Sequence, residues 1–164
     1  MTATQKLLWD KIRSFEIDDP NSSFTFTDRL ARENNWTLAY SLRAVLEYKK
    51  FLFLIAISDV PQTPSDQIDQ VWHLHLLYTQ SYWIDFCQNT INKQIHHGPT
   101  KGSEEKQLFR EQYTRTLQFY ETIFLKKPPK DIWVDVDTRF KEIHFTRVNR
   151  HRNWIIPKLS FRKR

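Results

Sequence analysis

Two glycines in 164 residues set the first limit on this chain. Sandwiches and barrels reverse direction many times, and their tight turns use glycine for backbone that other residues resist. A chain so poor in glycine is expected to be helical. Hydrophobic residues are 40% and aromatic residues 15% of the total, which is a core-forming composition rather than that of a disordered tail. Both glycines fall in one loop, His96-His97-Gly98-Pro99-Thr100-Lys101-Gly102-Ser103. That clustering predicts a backbone with special demands there, either positive φ or close approach to another group.

Periodicity supplies the elements. Leu7, Leu8, Ile12 and Phe15 predict a helix over 4–15. Asp18-Asp19-Pro20-Asn21 breaks it, and Thr27 caps a short helix through Asn34. The longest periodic stretch is 36–57, where Leu38, Leu42, Val45, Leu46, Lys49, Phe53 and Ile57 recur at steps of three and four. Its last turns are apolar all round, so they belong in the core. Thr63 and Pro64 suit the cap and first position of a helix running to about Cys87, with a kink near Ser81. Ser103 caps a helix to about Leu125, which Pro128-Pro129 ends, and 137–143 forms a last short helix. The fold class is therefore all-α, a single-domain bundle of about five main helices over 1–138 with a basic extension over 139–164.

Charge divides at that boundary. Residues 1–138 hold 16 Lys/Arg against 18 Asp/Glu, a formal charge of −2, and residues 139–164 hold nine against one, a charge of +8. Arg147, Arg150, Arg152, Lys158, Arg162, Lys163 and Arg164 are interleaved with Trp154 and Phe161. Bases among aromatics suit nucleic acid or an acidic protein partner. The plainer expectation is that Trp154-Ile155-Ile156-Pro157 anchors the segment on the body, with its bases in solvent. The single cysteine, Cys87, sits in an apolar helical setting and reads as a small buried hydrophobe. No signal-peptide pattern opens the chain, and no apolar run approaches the ~20 residues of a membrane span. A soluble, cytoplasmic protein is expected.

Histidine carries the chemistry. Four of the six lie between 73 and 97, and the central motif reads Asp66-Gln-Ile-Asp69-Gln-Val-Trp72-His73-Leu-His75-Leu-Leu-Tyr78. On a regular helix, residues two apart point about 200° from one another, so His73 and His75 cannot share an ion there. Asp69 and His73 are four apart and share a face. With one or both of His96 and His97 turned in from the loop, they make a ligand set for zinc or another divalent first-row metal. His75 is a further candidate ligand, although it falls on an apolar stripe where a hydrogen-bonded core histidine is the ordinary outcome. Asp66, Trp72 and Tyr78 would wall the pocket, and Glu47 would join only if the fold brings it in. A polar network without any ion fits the same residues. An ion there would support hydrolysis by activating water, but the pattern by itself names no reaction. The letters of 98–103 lack the spacing of a phosphate loop.

The chain resembles the glycine-rich domain-containing protein-like family, a family of uncharacterised function with bacterial and plant members. The resemblance lies in Arg29-Leu-Ala-Arg-Glu-Asn34, Glu47-Tyr-Lys-Lys-Phe51, Pro64-Ser-Asp-Gln-Ile-Asp69 and Val71-Trp-His-Leu-His75. It continues through Tyr82-Trp83 with Phe86-Cys87, the His96–Gly102 loop and Pro128-Pro-Lys-Asp-Ile-Trp133, in order over most of 24–140. The resemblance implies the same helical fold and supplies no activity. The chain lacks the glycine-rich extension and membrane segment of larger members, so it looks like the helical module alone.

Overall fold

The computed structural model describes residues 1–98, 105–141, 148–149 and 151–156. Among these are seven helices and no strand, so the protein is all-α. Helix α1 (Ala3–Ser14) opens on a capping box in which the Thr2 hydroxyl accepts from the Gln5 N–H and the Gln5 side chain accepts from the Thr2 N–H. Helix α2 (Phe26–Asn34) uses the same device with Thr25 and Asp28. The cap is therefore Thr25, not Thr27. Thr27 lies inside the first turn, buried, and donates its N–H and hydroxyl to the Asp18 carboxylate at 2.7 and 2.6 Å.

Helix α3 (Leu38–Ile57) is the hub and packs against α1, α2, α4 (Asp66–Leu77) and α5 (Lys106–Phe124). Four consecutive residues, Phe51 to Leu54, are buried, as a helix enclosed on all sides requires. Its first half differs from the periodic stripe. Leu38, Leu42 and Leu46 face solvent, while Ser41, Ala44, Val45 and Tyr48 face inward. Small residues at 41 and 44 let the neighbouring helices approach closely, so packing rather than hydropathy chooses the face.

Ser65, not Thr63, caps α4. Thr63 is held by α5 instead: its N–H donates to the Thr116 hydroxyl and its hydroxyl to the Gln112 side-chain carbonyl, both at 3.0 Å. Helix α4 stops at Tyr78, whose φ of −90° and ψ of 65° leave the helical region. The chain then continues as a π-helical segment over Gln80–Thr90, the observed form of the expected kink. Tyr82, Phe86 and Cys87 are its buried residues, at steps of four and five that suit the wider π turn.

Glycine plays a smaller part than its scarcity suggested. Gly98 has no neighbour within 4 Å of where a Cβ would stand and no positive φ. Gly102 and the Ser103 cap lie outside the described residues. Positive φ occurs at Asn35, Asn92 and Leu125. Two of these are asparagines, which tolerate the left-handed region through local polar contacts.

The last helix, α6 (Val136–Lys141), crosses the boundary placed at 138/139. Arg139 pairs with Asp66 and donates to the Pro64 carbonyl, and the Phe140 ring meets Tyr113. The body therefore extends through α6. Beyond it, Trp154, Ile155 and Ile156 are 94%, 62% and 83% exposed, so the expected anchor does not dock. Arg152 is also exposed, while Arg147, Arg150, Lys158, Arg162, Lys163 and Arg164 lie outside the described residues.

Among the described residues, one ion pair is buried in the core. Glu47 and Lys50, a turn apart on α3, are both buried and bonded to each other. The Tyr120 hydroxyl of α5 lies 2.9 Å from the Lys50 Nζ and 3.3 Å from Glu47 Oε1, and Trp133 Nε1 donates to Glu47 Oε2 at 3.0 Å. Burial pulls the Lys50 ammonium below its ordinary value, and the Glu47 carboxylate opposes that. Glu47→Gln leaves the ammonium uncompensated and is expected to cost about 3–5 kcal/mol. The paired replacement Glu47→Gln with Lys50→Met should recover most of that loss. Urea denaturation of the two variants checks both values.

Candidate metal centre

Helix α4 carries half of the site. Its i, i+4 spacing places Asp69 and His73 on one face, with His73 Nε2 3.9 Å from Asp69 Oδ2. The other half comes from the chain after the π segment. Asn92, at φ 51°, turns it, and the Ile95 side chain is buried. His97 Nε2 then lies 2.8 Å from Asp69 Oδ1. A carboxylate only accepts, so Nε2 carries the proton of this bond. The His73 and His97 ring centroids are 4.6 Å apart. One ligand atom from each of Asp69, His73 and His97 lies within 4.8 Å of the others.

Ion geometry can be set against these distances. Bonds of about 2.0–2.2 Å to a shared ion put neighbouring ligands about 3.0–3.5 Å apart. The Asp69–His97 pair needs to open slightly and His73 to close in. His73 is the freest of the three, its side chain 52% exposed against 22% for Asp69 and 18% for His97. His73 can therefore move most easily, while the Asp69–His97 pair must also open and His97 Nε2 give up its hydrogen before it can ligate. The His73 side also leaves the site open to solvent. Trp72 forms the inner wall, with its ring centroid 4.5 Å from that of His97.

The other candidates lie elsewhere. His75 points away from His73, as the helical angle requires, and is fully buried. Its Nδ1 is 3.0 Å from the Tyr48 hydroxyl and its Nε2 is 3.1 Å from the Ser81 hydroxyl, so both nitrogens are engaged away from the cluster. His96 turns to the Trp83 ring, 5.4 Å between centroids, and not to α4. Asp66 is drawn to Arg139, Tyr78 lies against Phe26 and Arg29, and Glu47 belongs to the buried ion pair. Of the residues proposed to wall the pocket, Trp72 alone touches the cluster's rings in the described structure.

The Ser81–His75–Tyr48 series superficially matches a hydrolase triad, but its proton arrangement differs. A base needs Nε2 free to accept from serine. Here Nδ1 is the one acceptor beside the buried Tyr48 hydroxyl, and burial holds that phenol well above its ordinary value, so it stays a donor. Nε2 then carries the hydrogen and donates to Ser81. The arrangement fixes a core histidine rather than activating a nucleophile.

Sequence reasoning missed the groups that hold the His97 side in place. Trp72 Nε1 donates to the Tyr82 hydroxyl at 2.9 Å, and that hydroxyl donates to the Ile95 carbonyl at 2.6 Å. Lys93 Nζ reaches the Ile55 and Ala56 carbonyls at 3.2 Å, where the last turn of α3 needs donors. Trp72 was expected as a pocket wall, but its bond to Tyr82 and the contacts of Tyr82 and Lys93 depend on tertiary partners that no local spacing shows. No family model, curated protein or solved structure matches the chain.

Burial pushes the His75 imidazole down to about 3, with the nearby Lys49 charge a smaller cause. The folded protein thus keeps it neutral while the unfolded chain takes up a proton below pH ~6.5. Its contribution to stability is full above that pH and declines as the pH falls toward 3. Between pH 7 and 5, wild type should lose about 2 kcal/mol more than His75→Gln does. Denaturant midpoints at the two pH values measure this. Equal losses would place the acid sensitivity in other groups.

Proposed function

We propose that the chain is a helical module that binds one divalent metal ion, zinc or another first-row metal, through Asp69, His73 and His97. The observation that carries this reading is the approach of three ligand atoms to within 4.8 Å of one another from two separate parts of the fold. Two imidazoles and a carboxylate form a known ligand chemistry for such ions. Three protein ligands with one solvent-facing side leave a position for water or substrate, the pattern of a reactive zinc rather than a closed structural one. Bound there, the ion would supply Lewis acidity and an activated water, so hydrolysis is the reaction class. Within the same proposal, the resemblance to the glycine-rich domain-containing protein-like family makes this chain a helical module of that family.

His73 gives the sharpest test. Its side chain is half exposed and only 3.9 Å from Asp69, so it adds little to the apo fold. His73→Ala should leave the metal-free melting temperature within about 1–2 °C of wild type, as for an ordinary surface change. Zinc at a hundred times its Kd should raise the wild-type Tm by about 5–10 °C, from ~2.7 kcal/mol of linkage. That rise should vanish in His73→Ala. Elemental analysis of protein purified without a histidine tag provides the stoichiometry. Less than one metal per chain together with no thermal shift would leave a purely structural Asp69–His97 pair.

A second reading has its own observation. Exposed Trp154, Ile155 and Ile156 beside exposed Arg152 favour a binding segment for nucleic acid or an acidic partner protein. Single-stranded DNA is the probe, because aromatics and bases together suit stacked, unpaired bases. Truncation after Lys141 preserves α6 and should abolish salt-sensitive retention on heparin and on that DNA. Equal retention by the truncated chain would remove this reading.

A further inference from the structure

We infer that Tyr82 is the positioning residue of the metal centre, its hydroxyl joining the two halves that supply the ligands; this rests on the metal-binding reading above. The ligands arrive on separate pieces of chain. Asp69 and His73 are fixed by α4, whereas His97 follows a turn at Asn92 and has no helix of its own. A bond linking Trp72, beside His73, to Ile95, two residues before His97, would set the distance between the halves. The Tyr82 hydroxyl makes that link, accepting from Trp72 Nε1 at 2.9 Å and donating to the Ile95 carbonyl at 2.6 Å.

Three further observations fit this role. Tyr82 is fully buried, so water does not compete for either bond. Burial also keeps the phenol protonated well above its ordinary value, which preserves the donor. The Trp72 ring that donates to Tyr82 also lies against the His97 ring, so one side chain senses both the hydroxyl and the ligand. The π-helical segment supplies the tyrosine. The segment follows the break at Tyr78, whose carbonyl accepts from the Tyr82 N–H at 2.8 Å, and the Tyr82 hydroxyl lies between Trp72 of α4 and Ile95. Ile95 is held by its buried side chain as well, so loss of the hydroxyl should loosen the site and not destroy it.

The experiment is a double-mutant cycle on the full chain, with Zn2+ affinity measured by competition and Co2+ absorption as the spectroscopic reading of the ligand field. Tyr82→Phe removes only the hydroxyl. It is expected to weaken Zn2+ binding about 10–100-fold, the usual effect of removing a group that orients a ligand, and to alter the Co2+ band while one ion per chain still binds. In a His97→Ala background, Tyr82→Phe should cause no further loss, because the residue acts through His97. Zn2+ affinity within twofold of wild type in Tyr82→Phe overturns the inference. An equal loss in both backgrounds also overturns it, since that marks general loosening of the fold. Failure of wild type to bind Zn2+ or Co2+ at all removes the metal reading itself and the inference with it. Should Tyr82→Phe not fold, amide exchange on wild type decides the matter. Zn2+ must then slow exchange in Gln80–Thr90 and in 95–97 together; slowing in 95–97 alone overturns the inference.

Discussion

A lysine and a glutamate one turn apart, both closed off from water, fix how the helices meet. The Glu47–Lys50 pair lies on α3, the helix that most of the others touch. A buried pair of charges is tolerable only if its remaining donors and acceptors are met with good geometry. Tyr120 on α5 and the Trp133 indole supply those partners. A shifted α5, or a chain after Pro129 that passed elsewhere, would leave a charge without a partner in the core. Apolar packing alone tolerates small slippage. This network penalises it, and so specifies which faces of α3 and α5 come together.

A second buried polar joint lies next to α3, where Phe51 packs on Trp72. The Trp72–Tyr82–Ile95 series links α4, the π segment and the chain that follows. Lys93 adds a contact to the end of α3. The stretch before His97 is thereby tied to two helices although it is not helical itself. The two joints share a logic: one buried hydroxyl takes both a donor and an acceptor from outside its own element and so stands in for water that the core excludes. In both cases the hydroxyl is a tyrosine's, whose ring also fills volume in an aromatic-rich core.

Local features were the legible ones. The long helix ending in an all-apolar run, the interruption before Ser81 and the Asp69–His73 pair all follow from spacings within one element. What failed depended on partners far along the chain. Thr27 and Thr63 are good caps in isolation, but Asp18 claims one and Gln112 with Thr116 the other. Leu38, Leu42 and Leu46 form a sound stripe, yet the small side chains of Ser41 and Ala44 admit the neighbouring helices on another face. The glycine loop drew attention to the stretch that holds His97, but glycine is not what shapes it there. Gly98 makes no demand that only glycine meets, whereas Asn92 takes the left-handed turn that brings His97 back to α4. No local signal separates His96 from His97 as the residue that turns inward.

The histidines illustrate how one helix serves two environments. His73 and His75 are two residues apart, and the helical angle sends them to opposite sides. The inner ring is kept neutral, with Tyr48 and Ser81 engaging both nitrogens. The outer ring is half exposed and lies 3.9 Å from the Asp69 carboxylate. An ion at Asp69, His73 and His97 would therefore ask for most of its motion from His73 and a small opening of the Asp69–His97 pair, beside an inner wall formed by the Trp72 indole and its bond to Tyr82. A site assembled in this way separates rigidity from access. The buried partners stand behind His97, and under the metal-binding proposal the exposed histidine would complete the ligand set at the surface.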